Sequence, residues 1–190
     1  MTSRTKNLFD IRQEVERLAA KIETEPWMLP TFGYSEQTGR PHIEEDGTLY
    51  YFVQSERGGE FVRWKSDSLD ELLFVIFRSV VSAFDLKDPT KLKARGKDQR
   101  RDRFQQNVEL MTVLSETWAQ RLTEFQRRLV ELFPFDDCTD NRFDLAGSLQ
   151  AQGISREEAS RLANDKYPAP ERGTLSDGAN LYEEFHLPHT

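Results

Sequence analysis

Apolar residues recur at Leu8, Ile11, Val15, Leu18 and Ile22, at spacings of three and four, with Arg12, Glu16 and Lys21 between them. This spacing predicts an amphipathic helix of about four turns, closed at Glu25-Pro26 because the residue before a proline is pushed out of the helical region. The pattern then breaks. Residues 26–46 crowd Trp27, Met28, Phe32 and Tyr34 among prolines and glycines, where neither a long helix nor a central strand is expected.

Alternation follows, with turn signals at Asp46-Gly47 and Gly58-Gly59. Strands are predicted at 41–45, 48–56 and 60–65 as an antiparallel meander. With two-residue turns at both sites, Leu49, Tyr51, Val53, Val62 and Trp64 share one face and Ile43, Tyr50, Phe52 and Phe61 the other, so both faces read as apolar; a one-residue bulge exchanges them. Ser68-Leu-Asp-Glu71 is a capping box opening a helix with Leu69, Leu72, Leu73, Ile76, Val80, Val81 and Phe84, which reads as the most buried helix and ends at Asp88-Pro89. A third helix carries Phe104, Val108, Met111 and Leu114. Ser115 caps a fourth, with Trp118, Leu122, Phe125, Leu129 and Leu132, which stops before Pro134. Beyond Asp137 a short helix is predicted over 143–152, ended by Gly153, and another from Ser155 to about Asn164. Leu181, Tyr182, Phe185 and Leu187 are candidates to dock on the body.

The predicted fold is therefore α+β: an N-terminal helix, a three-stranded antiparallel β-meander, then a helical bundle packed on one sheet face. Residues 1–137 are read as that domain and 138–190 as an acidic, partly helical extension. Of the 190 residues 37% are apolar, enough for a core, and no run approaches a transmembrane length. Charge sharpens the division. Residues 131–190 hold twelve acids and five bases, the whole net charge of −7, whereas residues 1–130 balance at 21 of each. The opening residues carry no signal-peptide core and the chain has a single cysteine, which leads to the expectation of a cytoplasmic protein.

Candidate chemistry is sparse. The three histidines, His42, His186 and His189, do not make up a zinc ligand set, and no cofactor is expected. Cys138 follows Asp136 and Asp137, the wrong electrostatics for a nucleophilic thiolate. No Gly-x-Ser-x-Gly elbow and no phosphate-binding glycine loop occurs. His42 and Glu44 alternate on one strand; a hydrogen-bonded surface pair is favoured over an acid/base pair of a small hydrolase. The run Lys91, Lys93, Arg95, Lys97, Arg100, Arg101 and Arg103 supports an alternative reading, a regulator that binds nucleic acid through 91–103. It has no aromatic residue before Phe104, and the acidic C-terminal third opposes binding, so a solvated connector is favoured; a further alternative is internal neutralisation, with the acidic segment lying across this run.

A resemblance carries more. Ile11-Arg-Gln-Glu-Val-Glu-Arg-Leu-Ala-Ala-Lys-Ile22 is followed by Pro-Trp-Met-Leu-Pro-Thr-Phe-Gly-Tyr-Ser-Glu at 26–36, Arg-Pro-His-Ile-Glu at 40–44, Tyr-Tyr-Phe-Val-Gln-Ser-Glu-Arg-Gly at 50–58, Leu-Asp-Glu-Leu-Leu at 69–73 and Phe-Pro-Phe-Asp-Asp at 133–137. Over about residues 8–137 this order resembles the immunity protein 63 family of bacterial polymorphic toxin systems. The resemblance implies a non-enzymatic antidote that neutralises a cognate toxin domain, such as a basic nuclease, by stoichiometric binding. It carries over no catalytic or contact residues. The residues expected to meet that partner are the aromatic anchors Trp27, Phe32 and Tyr34, with Glu36, Glu44, Glu45 and Asp46 as a negative rim. The competing view, favoured for Trp27, has Trp27 and Phe32 plug the domain's own core.

Overall fold

The computed structural model describes residues 6–84, 96–173, 185 and 187. The N-terminal helix α1 runs over Leu8–Lys21, capped by Asn7, whose side chain accepts from the Asp10 amide. Ile11, Val15, Leu18 and Ala19 form its buried stripe, the one the spacing predicts. A single 3₁₀ turn at Pro26–Met28 leads to a two-residue strand β1 (Thr31–Phe32). Then come β2 (Thr38–Glu45), β3 (Tyr50–Glu56) and β4 (Gly59–Ser66).

The sheet differs from the expected three antiparallel strands: it has four, in the order β1-β2-β3-β4, and β1 lies parallel to β2. Thr31 and Phe32 pair with His42 and Ile43, so part of the segment expected to hold no central strand is interior to the sheet. β1 is too short to alternate visibly in sequence, and its pairing is long-range.

Both turns sit one residue away from their predicted places. At the first, the Asp46 carboxylate accepts from the Thr48 and Leu49 amides (2.9 and 2.8 Å), and the turn residues are Gly47, at φ +85°, and Thr48. At the second, Glu56 pairs with Gly59 around Arg57 (φ +51°) and Gly58 (φ +85°). Gln37 holds this turn: its carbonyl accepts from the Arg57 amide (3.3 Å) and its side-chain oxygen from the Gly58 amide (2.7 Å). That support lets an arginine occupy the left-handed region.

A bulge then changes the faces. Ser55 pairs with Glu60 but Gln54 with Val62, leaving Phe61 as the extra residue. Val62 and Trp64 therefore join Ile43, Tyr50 and Phe52 on the core side, whereas Phe61 is exposed. The opposite face carries His42, Glu44, Tyr51, Val53, Arg63 and Lys65. It is largely polar, not apolar as two bulge-free hairpins would make it.

Helix α2 (Leu69–Ala83) starts at the Ser68 cap, which accepts from the Glu71 amide (3.3 Å), and buries eight residues, among them Leu72, Phe74, Ile76 and Phe77. Its predicted stop at Asp88-Pro89 lies outside the described residues. Helices α3 (Arg100–Leu114) and α4 (Glu116–Leu132) meet at Ser115, the predicted cap of α4. Trp118 packs between Phe74 and Phe77 (ring centroids 6.4 and 6.2 Å) and donates through Nε1 to Asp70 (3.1 Å), tying α4 to the start of α2. Helix α5 (Thr139–Ala151) begins four residues before its predicted start and contributes no buried residue. Helix α6 (Arg156–Lys166), capped by Ser155 as predicted, buries Ala159 and Ala163.

The chain then returns to the body. Gly173 donates to the Leu132 carbonyl (2.9 Å), and a Cβ there would stand 2.2 Å from the Glu131 carbonyl oxygen, a place only glycine fits. Phe185 meets Phe125 edge-on (5.5 Å), its carbonyl accepts from Arg121 (2.6 Å), and Leu187 enters the core at 3% exposure. Leu181 and Tyr182, also expected to dock, lie outside the described residues.

Candidate functional site

The residues expected to form one contact surface fall into two groups. The first gathers around Arg40. Gly39, at φ +86°, belongs to a β2 irregularity between Thr38 and Pro41 that lets Arg40 leave the ladder. Its guanidinium donates to the Leu29 carbonyl (2.8 Å), the Pro26 carbonyl (2.9 Å) and the Glu36 carboxylate (3.0 Å). Three bonds from one side chain pin both ends of the aromatic loop. The Thr31 hydroxyl donates to the Tyr34 carbonyl, and the Gly33 amide donates to Ile43 (2.8 Å).

On this frame Trp27 is 55% exposed and Tyr34 60% exposed. Trp27 is thus not the core plug the sequence favours: the 3₁₀ turn spends Met28 on the core and turns Trp27 outward. Phe32 is half-buried against the core from β1. A cleft of about 200 Å³ lies between α1 and the loop, lined among others by Arg12, Glu16, Leu29, Phe32, Tyr34 and Arg40. Phe9, one helical turn before Arg12, is 65% exposed. It is an anchor candidate that sequence reasoning passed over; a phenylalanine outside the α1 apolar stripe was the available signal.

The second group lies at the other end of β2. Glu44 accepts from His42 Nε2 (3.1 Å) and from Arg63 (2.9 Å), and Arg63 also donates to Glu60 (2.8 Å) and lies over the Tyr51 ring (5.4 Å). The Tyr51 hydroxyl donates to Asp46 (2.6 Å), and Glu45 accepts from the Gly47 amide (2.7 Å). Burial pushes the Glu44 carboxyl up, but bonds from Arg63 and His42 outweigh it and hold the group below its ordinary range. The Tyr51 hydroxyl and two backbone amides hold Asp46 down, and Arg63 does the same for Glu60. The His42–Glu44 pair exists as predicted, but with a buried rather than a surface histidine: His42 is 4% exposed and its Nδ1 has no partner. Glu36 is matched by Arg40, so it adds no free charge to a rim.

The basic segment has a different neighbour. Lys91, Lys93 and Arg95 lie outside the described residues. Arg100 forks onto Asp98 and donates to the Phe133 and Pro134 carbonyls (both 2.8 Å). Arg101 bonds Asp137 in two places, Asp137 accepts from the Asp98 amide (2.7 Å), and Asp98 accepts from the Asp136 amide (2.8 Å). Asp140 accepts from the Gly96 amide (3.3 Å) and Asp136 pairs with Arg142. The acidic corner after α4 thus lies across the start of α3 and pairs Arg101 through Asp137, whereas Arg100 is paired by Asp98 within the basic run itself. Arg100 holds the Asp98 carboxyl far below its usual range, and Arg101 lowers Asp137.

Among the described residues no group of three or more His, Cys, Asp or Glu side chains is placed to hold a metal ion, and no helix is long and apolar enough to cross a membrane. Cys138 is a half-buried free thiol.

The arrangement offers recognition surfaces more readily than reaction centres, and a family comparison gives that a context. Residues 46–127 match the model of immunity protein 63. The match runs from the β2–β3 turn through β3, β4, α2 and α3 into α4, and is narrower than the 8–137 span of the resembling motifs. The matched segment contains Trp118, α2 and most of the core. The aromatic loop and the Arg-Pro-His-Ile-Glu block lie outside it. Comparison with curated proteins and with solved structures gives no match.

Proposed function

We propose that this chain is an immunity protein that neutralises a cognate toxin domain by stoichiometric binding, with no bond made or broken on it. The observation that carries the reading is the immunity protein 63 match over the structural heart of the molecule. The geometry supports it: Trp27 and Tyr34 stand in solvent on a loop already fixed by Arg40. Large exposed aromatics on a rigid frame lose little conformational freedom on binding, and such residues dominate interface energetics. Phe32 supports the loop from beneath, and Phe9 extends the same surface.

The test is co-expression with the toxin domain encoded beside this chain. Expected are restored growth and a complex of fixed stoichiometry by light scattering. A chain that neither protects cells nor binds the purified toxin domain overturns the reading.

A further inference from the structure

We infer that the cleft between α1 and the aromatic loop is a socket for one uncharged, apolar side chain of the toxin domain, a large aliphatic or aromatic residue. The inference rests on the immunity reading and names what the exposed aromatics surround.

The cleft is small and its walls are fixed. Its volume of about 200 Å³ falls below the roughly 300–1,000 Å³ of pockets that enclose a small molecule, and suits a single side chain. Arg40 pins the loop wall at Pro26 and Leu29. At Gly33, φ +77°, the loop comes so close to the start of α1 that a Cβ would stand 3.1 Å from Leu8 Cδ1. A socket held at both ends loses little freedom when it is filled.

The chemistry of the lining selects the occupant. Leu29, Pro30, Phe32 and Tyr34 give the cleft an apolar wall. The three charged residues that line it are each matched within the chain: Arg12 and Glu16 by one another (2.8 Å), and Arg40 by Glu36 (3.0 Å) and two backbone carbonyls. A charged side chain entering here sheds its water and meets no open counter-charge. An apolar one gains by leaving water.

The exposed aromatics extend the contact around this socket. Tyr34 belongs to the lining, Trp27 follows Pro26 in the 3₁₀ turn, and Phe9 stands one turn before Arg12 on the same side of α1. An anchor seated in a pocket, ringed by large side chains that exclude water, is the anatomy of an energetic hot spot.

The experiment measures dissociation rates of the purified toxin domain from the full chain and from two variants of opposite sign. Arg12→Glu leaves the cleft negative and Glu16→Lys leaves it positive. Both positions are exposed on α1, thermal melts confirm folding, and about 500 mM salt screens long-range attraction. Expected is dissociation about 3–10-fold faster for both variants, because either one places an uncompensated charge beneath the seated side chain. Changes of opposite sign, or a change in one variant alone, mark a charged occupant; unchanged rates in both mark a cleft left empty. Either result overturns the inference while the parent still binds and the immunity reading stands. Failure of the parent chain to bind overturns both.

Discussion

Trp27 is the residue on which sequence and structure part most sharply. A tryptophan between two prolines reads as a plug for the core, yet it stands in solvent while its neighbour Met28 takes the buried place. Its removal therefore separates folding from recognition. Trp27→Ala is expected to change stability by less than about 0.5 kcal/mol in urea unfolding, and to weaken toxin binding by about 2 kcal/mol or more in calorimetry. Gly173 is the converse case, a residue with no chemistry and a strict steric demand. Gly173→Ala places a methyl against the backbone at Glu131, and the chain must lift from the end of α4. The expected cost is about 1–3 kcal/mol, read in urea unfolding together with faster proteolysis after α6.

At the scale of elements, α1, α2 and α4 were legible because each carries one apolar stripe at helical spacing, and Ser68, Ser115 and Ser155 mark the starts of α2, α4 and α6 by the caps they form. The sheet was less so. A strand of two residues has no period, and the bulge at Phe61 depends on how β4 lies on β3, not on its own composition. The candidate site was legible as a list of residues but not as a place. Trp27, Phe32, Tyr34 and Glu36 go with Arg40, and Glu44 with Arg63, Asp46 with Tyr51 and Glu45 with the Gly47 amide, because β2 carries the two groups to its opposite ends.

The junction of α3 with the acidic corner is the element-level feature with a pH signature. Asp98 and Asp137 are held below their ordinary range by Arg100 and Arg101, while at Asp136 burial pushes the carboxyl up but the bonds from Arg142, the Cys138 amide and Thr139 together outweigh it. Depressed carboxyls stabilise the fold above their unfolded values, near pH 4, and that contribution is lost as pH falls through the folded values. Melting temperature is expected to hold from neutral pH to about pH 5 and fall steeply below pH 4. Asp98→Asn removes an ionic partner of Arg100 and is expected to cost about 1–3 kcal/mol at pH 7 while flattening the acid limb of the profile. An acid limb identical to the parent's contradicts this account.

For the molecule as a whole, the far end of the chain helps to close the core. Leu187 belongs to the same apolar cluster as Trp118, Leu122 and Phe125, and Arg121 joins Glu71 of α2 to the Phe185 carbonyl while lying 4.0 Å over the Phe74 ring. Three parts of the chain thus meet at one arginine. Leu187→Ala is expected to cost about 2–4 kcal/mol, with one cooperative unfolding transition retained when fluorescence and circular dichroism are followed together.

The irregularity at Phe61 reaches beyond the pairing it alters. An outer strand with a regular backbone offers a template on which another chain can extend the ladder. Here an inserted residue twists that border, and Lys65 adds positive charge to it. The molecule is in this way hindered from zipping onto its own kind, and under the immunity reading more of it stays free for capture.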